Sequence, residues 1–270
     1  MFNKILAKDF KGLSRQKRGI TLAVLPTIVT IFAIVYVVLL YFVMKYVNVD
    51  VPELGDIGFG QLNYVSSVSM LAAFSISYGL IVTIIMAGSL VSSEIKNKQW
   101  VLPLNAGHSS RSLFLSKLIS SELWILGGMI VGFLIHFLFT VIFCSPSGAY
   151  VWQILATYLL LILMMAFYVD IIISLNFITK KSWIGIVIVL LCVIILPDIL
   201  AQITVGGESF VMFTPFSIVY IVSSSMIFSV KGFFNIYTTA QWIINTATYL
   251  LIAIGLPVWA ISASKIKAIK

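Results

Sequence analysis

The chain has 270 residues, of which 61% are hydrophobic and only 10% charged, with a mean hydropathy of +1.12. Soluble domains carry roughly 25% charged residues, so these figures exclude a soluble enzyme, a disordered protein and a disulfide-stapled secreted domain. The net charge of +8 does not indicate nucleic-acid binding. Lys and Arg cluster at the ends of apolar runs, where they orient a membrane protein, and no soluble basic face exists to read a nucleic acid.

Residues 1–18 contain Lys4, Lys8, Lys11, Arg15, Lys17 and Arg18, with Phe2, Ile5, Leu6, Phe10 and Leu13 at roughly helical spacing. This pattern predicts an amphipathic helix lying on the membrane surface. The apolar run behind it is too long for a signal-peptide core and has no small-residue cleavage site. The first span reads Ile20 to Met44, with Pro26 in its first turns. An acidic loop, 45–60, carries Asp50, Glu53 and Asp56. The second span runs from about Val68 to Ser92 and the third from about Leu118 to Phe143, joined by a polar stretch from Glu94 to Lys117. Ser109 or Ser110 in that stretch can cap the helix entering span three.

The turn 144–149 returns the chain into span four, about Tyr150 to Thr179, closed by Lys180 and Lys181. Span five reads Trp183 to Ala201 and the last run Ala240 to Ser264. The uncharged stretch 209–230 is long enough to cross, yet six crossings with both termini cytoplasmic leave only Lys45 and Lys231 outside, whereas a seventh would export the three C-terminal lysines. The bias of basic residues to the inner side therefore favours six spans. Pro215, Gly206-Gly207 and Ser223-Ser224-Ser225 agree with a re-entrant extracellular segment over 202–239. The expected fold is all-α: a polytopic membrane protein of the plasma membrane, with six transmembrane helices and an amphipathic N-terminal interfacial helix.

Catalytic signatures do not appear. Gly-Lys never occurs, so no Walker A loop cradles ATP here, and H-E-x-x-H, C-x-x-C and G-x-S-x-G are also missing. The two histidines, His108 and His136, are too few and too far apart for a metal site; His136 reads as a hydrogen-bonded span residue. Cys144 and Cys192 fall at different depths and are expected as free thiols. Trp100, Trp124, Trp152, Trp183 and Trp242 fall near span ends, as an aromatic belt does. Asp170 lies about ten residues before Lys180, roughly 15 Å deep. Two readings of it stand: a translocation-path or proton-relay residue, or an interhelical hydrogen bond. Glu122, five residues past Lys117, reads as an inner-interface structural residue.

The stretch between spans two and three mixes charge with apolar residues: Glu94, Ile95, Lys98, Trp100, Leu102, Leu104, Arg111 and Lys117. A short amphipathic helix in a loop suits a partner's groove. The strings Ser93-Glu94-Ile95-Lys96-Asn97-Lys98-Gln99-Trp100-Val101-Leu102-Pro103-Leu104, Ser109-Ser110-Arg111 and Ser116-Lys117 resemble the corresponding loop of type 2 ATP-binding-cassette (ABC) exporter permeases. The sequence departs from that pattern at Asn105-Ala106-Gly107-His108, where a small-residue pair preceded by Pro is usual. Lys98-Gln99-Trp100 is similar to the permeases of lantibiotic immunity and bacitracin resistance.

The resemblance implies a single permease domain, 1–270, with residues 1–18 interfacial and 94–117 a cytoplasmic coupling loop. It also implies two separate ABC ATPase subunits that hold ATP and Mg, no cofactor in this chain, and a second permease, identical or homologous. The expected cargo is a hydrophobic or amphipathic molecule, such as an antimicrobial peptide, moved outward. A proton-coupled secondary transporter using Asp170 is the alternative, and a non-transporting membrane scaffold a third.

Overall fold

A computed structural model describes residues 2–47, 64–97, 99–144, 151–205, 208–214 and 239–263. Six helices among them are long and apolar enough to cross a bilayer: Gly19–Val43, Met70–Leu90, Ser110–Phe143, Thr157–Thr179, Trp183–Gln202 and Ile243–Ser262. Helices are the form expected of a spanning chain, because lipid offers no partner for backbone N–H and C=O groups. Bounds agree with the sequence expectation to within a few residues, except at span three. There the apolar helix already begins at Ser110, ahead of the expected start of the span near Leu118, because Ser109, one of the two expected caps, accepts from the Ser112 N–H.

In chain order the helices are α1 (Phe2–Arg15), α2 (Lys17–Val47), α3 (Tyr64–Phe74), α4 (Ile81–Lys96), α5 (Val101–Asn105), α6 (Ser110–Phe143), α7 (Val151–Thr179), α8 (Ser182–Ile194), α9 (Leu196–Gln202) and α10 (Thr239–Ala263). A single π-helical turn, Ser75–Leu80, joins α3 to α4 within span two. Span five is broken at Ile195, where Pro197 lies in the first turn of α9 and cannot continue the ladder of α8. Pro26 and Pro257 lie inside α2 and α10 without ending them.

After α9 the chain forms a two-residue antiparallel ladder, Thr204↔Ser209 and Val205↔Glu208, then a 3-10 turn, Phe210–Phe213. Asn245 of α10 ties this start of the 202–239 segment down by donating to the Thr214 carbonyl at 2.8 Å. The rest of the expected re-entrant piece, 215–238, lies outside the described residues, as do loop 48–63, turn 145–150, Lys98 and the C-terminal lysines.

The fourth span is the centre of the bundle: 61% of its most apolar window is buried, against 17% for the last span. Its Leu161, Met164, Phe167, Tyr168, Ile172 and Phe177 are all within 1% of complete burial. The α4, α6, α8 and α10 helices pack around α7, and α2 lies along α6. Small residues govern that last contact, as expected where helices lack a hydrophobic drive to associate in lipid. A Cβ at Gly128 would run into the Ala23 carbonyl, and one at Gly132 would crowd Thr30 Oγ1. Thr27 Oγ1 donates to the Gly128 carbonyl at 3.1 Å. Gly128→Ala is therefore expected to lower stability by about 1–3 kcal/mol. Gly127→Ala, whose Cβ meets nothing within 4 Å, should leave the unfolding midpoint in detergent unchanged.

Toward the Phe143 end of α6, His136 is fully buried and its Nε2 lies 2.9 Å from Ser67 Oγ, the hydrogen-bonded span role its sequence position suggested. Cys144 and Cys192 are both free thiols.

Candidate functional site

The residues between spans two and three do not form an open loop. The α4 helix carries Glu94 to its last turn, the chain turns at Asn97 and again at Gln99 and Trp100, and the five-residue α5 precedes the turn at Gly107, which has φ +82°. That backbone geometry favours glycine and sends the chain into α6.

One ion network wires these pieces together. Lys117 Nζ, from the second turn of α6, donates to Glu94 Oε1 at 2.6 Å and pairs with Asp9 Oδ1 of α1 at 3.0 Å. Ser116 Oγ donates to the other oxygen of Asp9. Trp100 Nε1 donates to Glu94 Oε2 at 3.1 Å, and the Gln99 N–H donates to the Glu94 carbonyl at 3.0 Å. All three ionised side chains are largely shielded, with side-chain exposures of 9% for Lys117, 6% for Glu94 and 13% for Asp9. Charges this dry are tolerated when each is paired and the remaining lone pairs are satisfied, as here. The network joins the N-terminal helix, the end of span two and the start of span three at one point.

Trp100 was expected among the apolar residues that this stretch offers to a partner's groove. It turns inward instead. It is 6% exposed, and its ring lies 4.9 Å from that of Phe177 at the end of span four, which also meets Phe114 at 4.8 Å. The physical reason is the pairing just described: an indole with its N–H satisfied by Glu94 can bury its whole apolar area. Leu104 is half-buried against the same core. Arg111 is exposed on α6, apart from the network. Ile95 and Leu102 lie on α4 and α5.

The α1 helix is anchored to the bundle, packing mainly on α6 and α2. Ile5 and Leu13 are buried and Asp9 falls between them on the same face. On another face, Phe10 is 43% exposed and stacks on Trp124 of α6, with centroids 5.1 Å apart. Between α1 and the α4–α5 turn lies a cavity of about 330 Å³ whose wall includes Lys8, Lys11, Arg15, Gln99 and Pro103.

A second polar locus lies inside the membrane-spanning region. Asp170 of α7 faces Glu122 of α6 as its neighbouring acid. Asp170 Oδ1 has no partner among the described residues. Tyr249 of α10 stands near both acids and donates to the Leu163 carbonyl at 3.3 Å. Glu122 borders a mostly apolar cavity of about 220 Å³ with Ile119, Leu126, Met129 and Ile162. Neither the partner of Asp170 nor the part played by Asp9 was read from the sequence.

Residues 15–196 match the family model described as ABC-2 family transporter protein. The match reaches from the end of α1 into α9 and so takes in the whole Glu94–Lys117 region. No curated protein matches the chain.

Proposed function

The chain belongs to the ABC-2 family of transporter proteins, and from that premise we propose that it is the permease half of an ATP-driven exporter. Membership makes it a multi-pass transport subunit and implies an ABC ATPase partner that performs the hydrolysis. The proposal adds direction, cargo and assembly. A hydrophobic or amphipathic molecule, such as an antimicrobial peptide, is moved outward, and the working unit holds two permeases, identical or homologous, in the plasma membrane with both termini cytoplasmic.

The observation that carries this reading is the Asp9–Lys117–Glu94–Trp100 network. An exporter driven by a separate ATPase needs a stiff joint between a cytoplasmic contact and the spans. Glu94, Lys117 and Phe177 lie on the helices of spans two, three and four, and Trp100, next to α5, holds Glu94 and Phe177 directly and Lys117 through Glu94. In this reading α5 and the flanking Ile95, Lys98, Leu102, Leu104 and Arg111 form the contact, and the network transmits its displacement. The test is transport by the purified chain and its ATPase in proteoliposomes. Outward movement of a fluorescent amphipath should require ATP. Transport by the permease alone under a pH gradient would overturn the reading in favour of a proton-coupled carrier, which the family match does not favour.

Asp170 is assigned to the cargo path, with Glu122 beside it. The two acids, the phenol and the adjoining apolar cavity suit the positive end and the apolar body of an amphipathic cation. Asp170→Asn should preserve expression and slow transport of a cationic amphipath about tenfold, the equivalent of one charge-assisted hydrogen bond. A neutral amphipath should be little affected. Equal rates for both cargoes in wild type and Asp170→Asn would remove Asp170 from the path.

A further inference from the structure

The cavity between α1 and the α4–α5 turn has an imbalance of charge that the network does not resolve. Its two carboxylates, Asp9 and Glu94, are both taken by Lys117, with Ser116 and Trp100 occupying their other oxygens. Lys8, Lys11 and Arg15 also line it. They follow one another at spacings of three and four along α1, so their side chains share one side of the helix. All three are exposed, and among the described residues no ion pair reaches any of them. The lining thus carries four cations against two carboxylates, a net charge of +2 around a cavity of about 330 Å³, and the three cations of α1 stand at it without an ion pair.

We propose that this cavity binds the phosphate group of an anionic lipid headgroup. Three features favour a lipid over an acidic protein segment. First, the volume of about 330 Å³ fits a phosphodiester with a small headgroup and is too small for a helix about 10 Å across. Second, α1 is bordered by lipid-facing surface: Phe10 is exposed on it, and one turn beyond Gln16, at the cavity's edge, begins the exposed series Ile20, Val24, Ile28 and Ile31 of α2. A lipid whose phosphate sits among Lys8, Lys11 and Arg15 can lay its acyl chains along that series. Third, each Lys or Arg near an anionic leaflet contributes about 1 kcal/mol, so three suffice for selective retention of an anionic lipid. The bound headgroup would brace α1 against the α4–α5 turn, adding a lipid component to the joint that Lys117 builds.

The test uses the full-length chain alone, purified in a neutral detergent, so that a failure of ATPase docking cannot be mistaken for a failure of this site. It is titrated with short-chain phosphatidylglycerol, short-chain phosphatidylcholine and inorganic phosphate. Saturable binding of phosphatidylglycerol is expected, with little of either alternative. In the triple variant Lys8→Gln, Lys11→Gln, Arg15→Gln it should weaken by about tenfold or more. Because these side chains are exposed, the variant should retain its unfolding midpoint. The double variant Lys180→Gln, Lys181→Gln, which removes exposed charge elsewhere, should bind as wild type. Equal weakening in that control would show general charge attraction and overturn the proposal. So would phosphatidylglycerol binding that the triple variant leaves intact. Inorganic phosphate bound as tightly as the lipid would make this a free-anion site.

Discussion

Lys117→Met should be the most damaging single substitution at the junction of α1, α4 and α6. It removes the one cation shared by Glu94 and Asp9 and leaves two carboxylates in a site where wild-type side-chain exposures are only 6% and 13%. Breaking a buried pair while one charge remains typically costs about 3–5 kcal/mol, and here two carboxylates are stranded. The unfolding midpoint in detergent should fall accordingly, and α1 should become accessible to protease. Adding Glu94→Gln and Asp9→Asn to Lys117→Met should recover much of the stability, since no charge is then left unpaired. The triple variant should nevertheless fail to couple ATP hydrolysis to transport. If Lys117→Met alone keeps the wild-type midpoint, the network is not what holds this end of the bundle.

Trp100→Ala comes second in size. The indole is buried against Phe177 and hydrogen-bonded to Glu94. Truncating a packed Trp to Ala costs about 3–5 kcal/mol in a core, and one carboxylate oxygen loses its donor as well. The expected outcome is that α5 is released from the end of span four. The protein should still insert in the membrane and still bind the ATPase, but its transport per ATP hydrolysed should drop. Trp100→Phe should sit between the two, because the ring contact with Phe177 survives and the N–H donation does not. Leu104→Ala, at a half-buried site, should have a smaller effect than Trp100→Ala. The opposite order would mean that the outer face of α5 matters more than its attachment to the bundle.

The spans were legible because burial in lipid imposes length and uninterrupted apolarity, and both can be counted along the chain. The helix start at Ser109 was legible because capping is local. What could not be read was pairing across helices. Glu94 and Lys117 were singled out, but nothing along the chain says that they meet. Asp9 drew no attention among six basic neighbours, although Ile5, Asp9 and Leu13 fall four residues apart and so share one face. A single acid on an otherwise apolar stripe was the available sign that a cation waits opposite. Asp170 and Glu122 illustrate the limit of depth arithmetic. Counting from Lys180 and Lys117 sets them about 7 Å apart in depth, and helix tilt and packing close that difference. The inward turn of Trp100 depends on Phe177, 77 positions further on, so no local pattern could reveal it.

The close seam between α6 and α2 has a mechanical consequence. The α6 helix is unbroken over 34 residues, about 51 Å, well beyond the roughly 30 Å of the hydrocarbon layer. Gly128 and Gly132, the points of nearest approach to α2, fall close to its midpoint. They are placed to serve as the fulcrum of a lever, one arm of which carries Lys117. A swing of about 10° around Gly128 would move the two ends by roughly 4–5 Å in opposite senses. In the proposed exporter, a push delivered beside α5 would thus reappear, with little loss of amplitude, near Phe143 on the far side of the membrane.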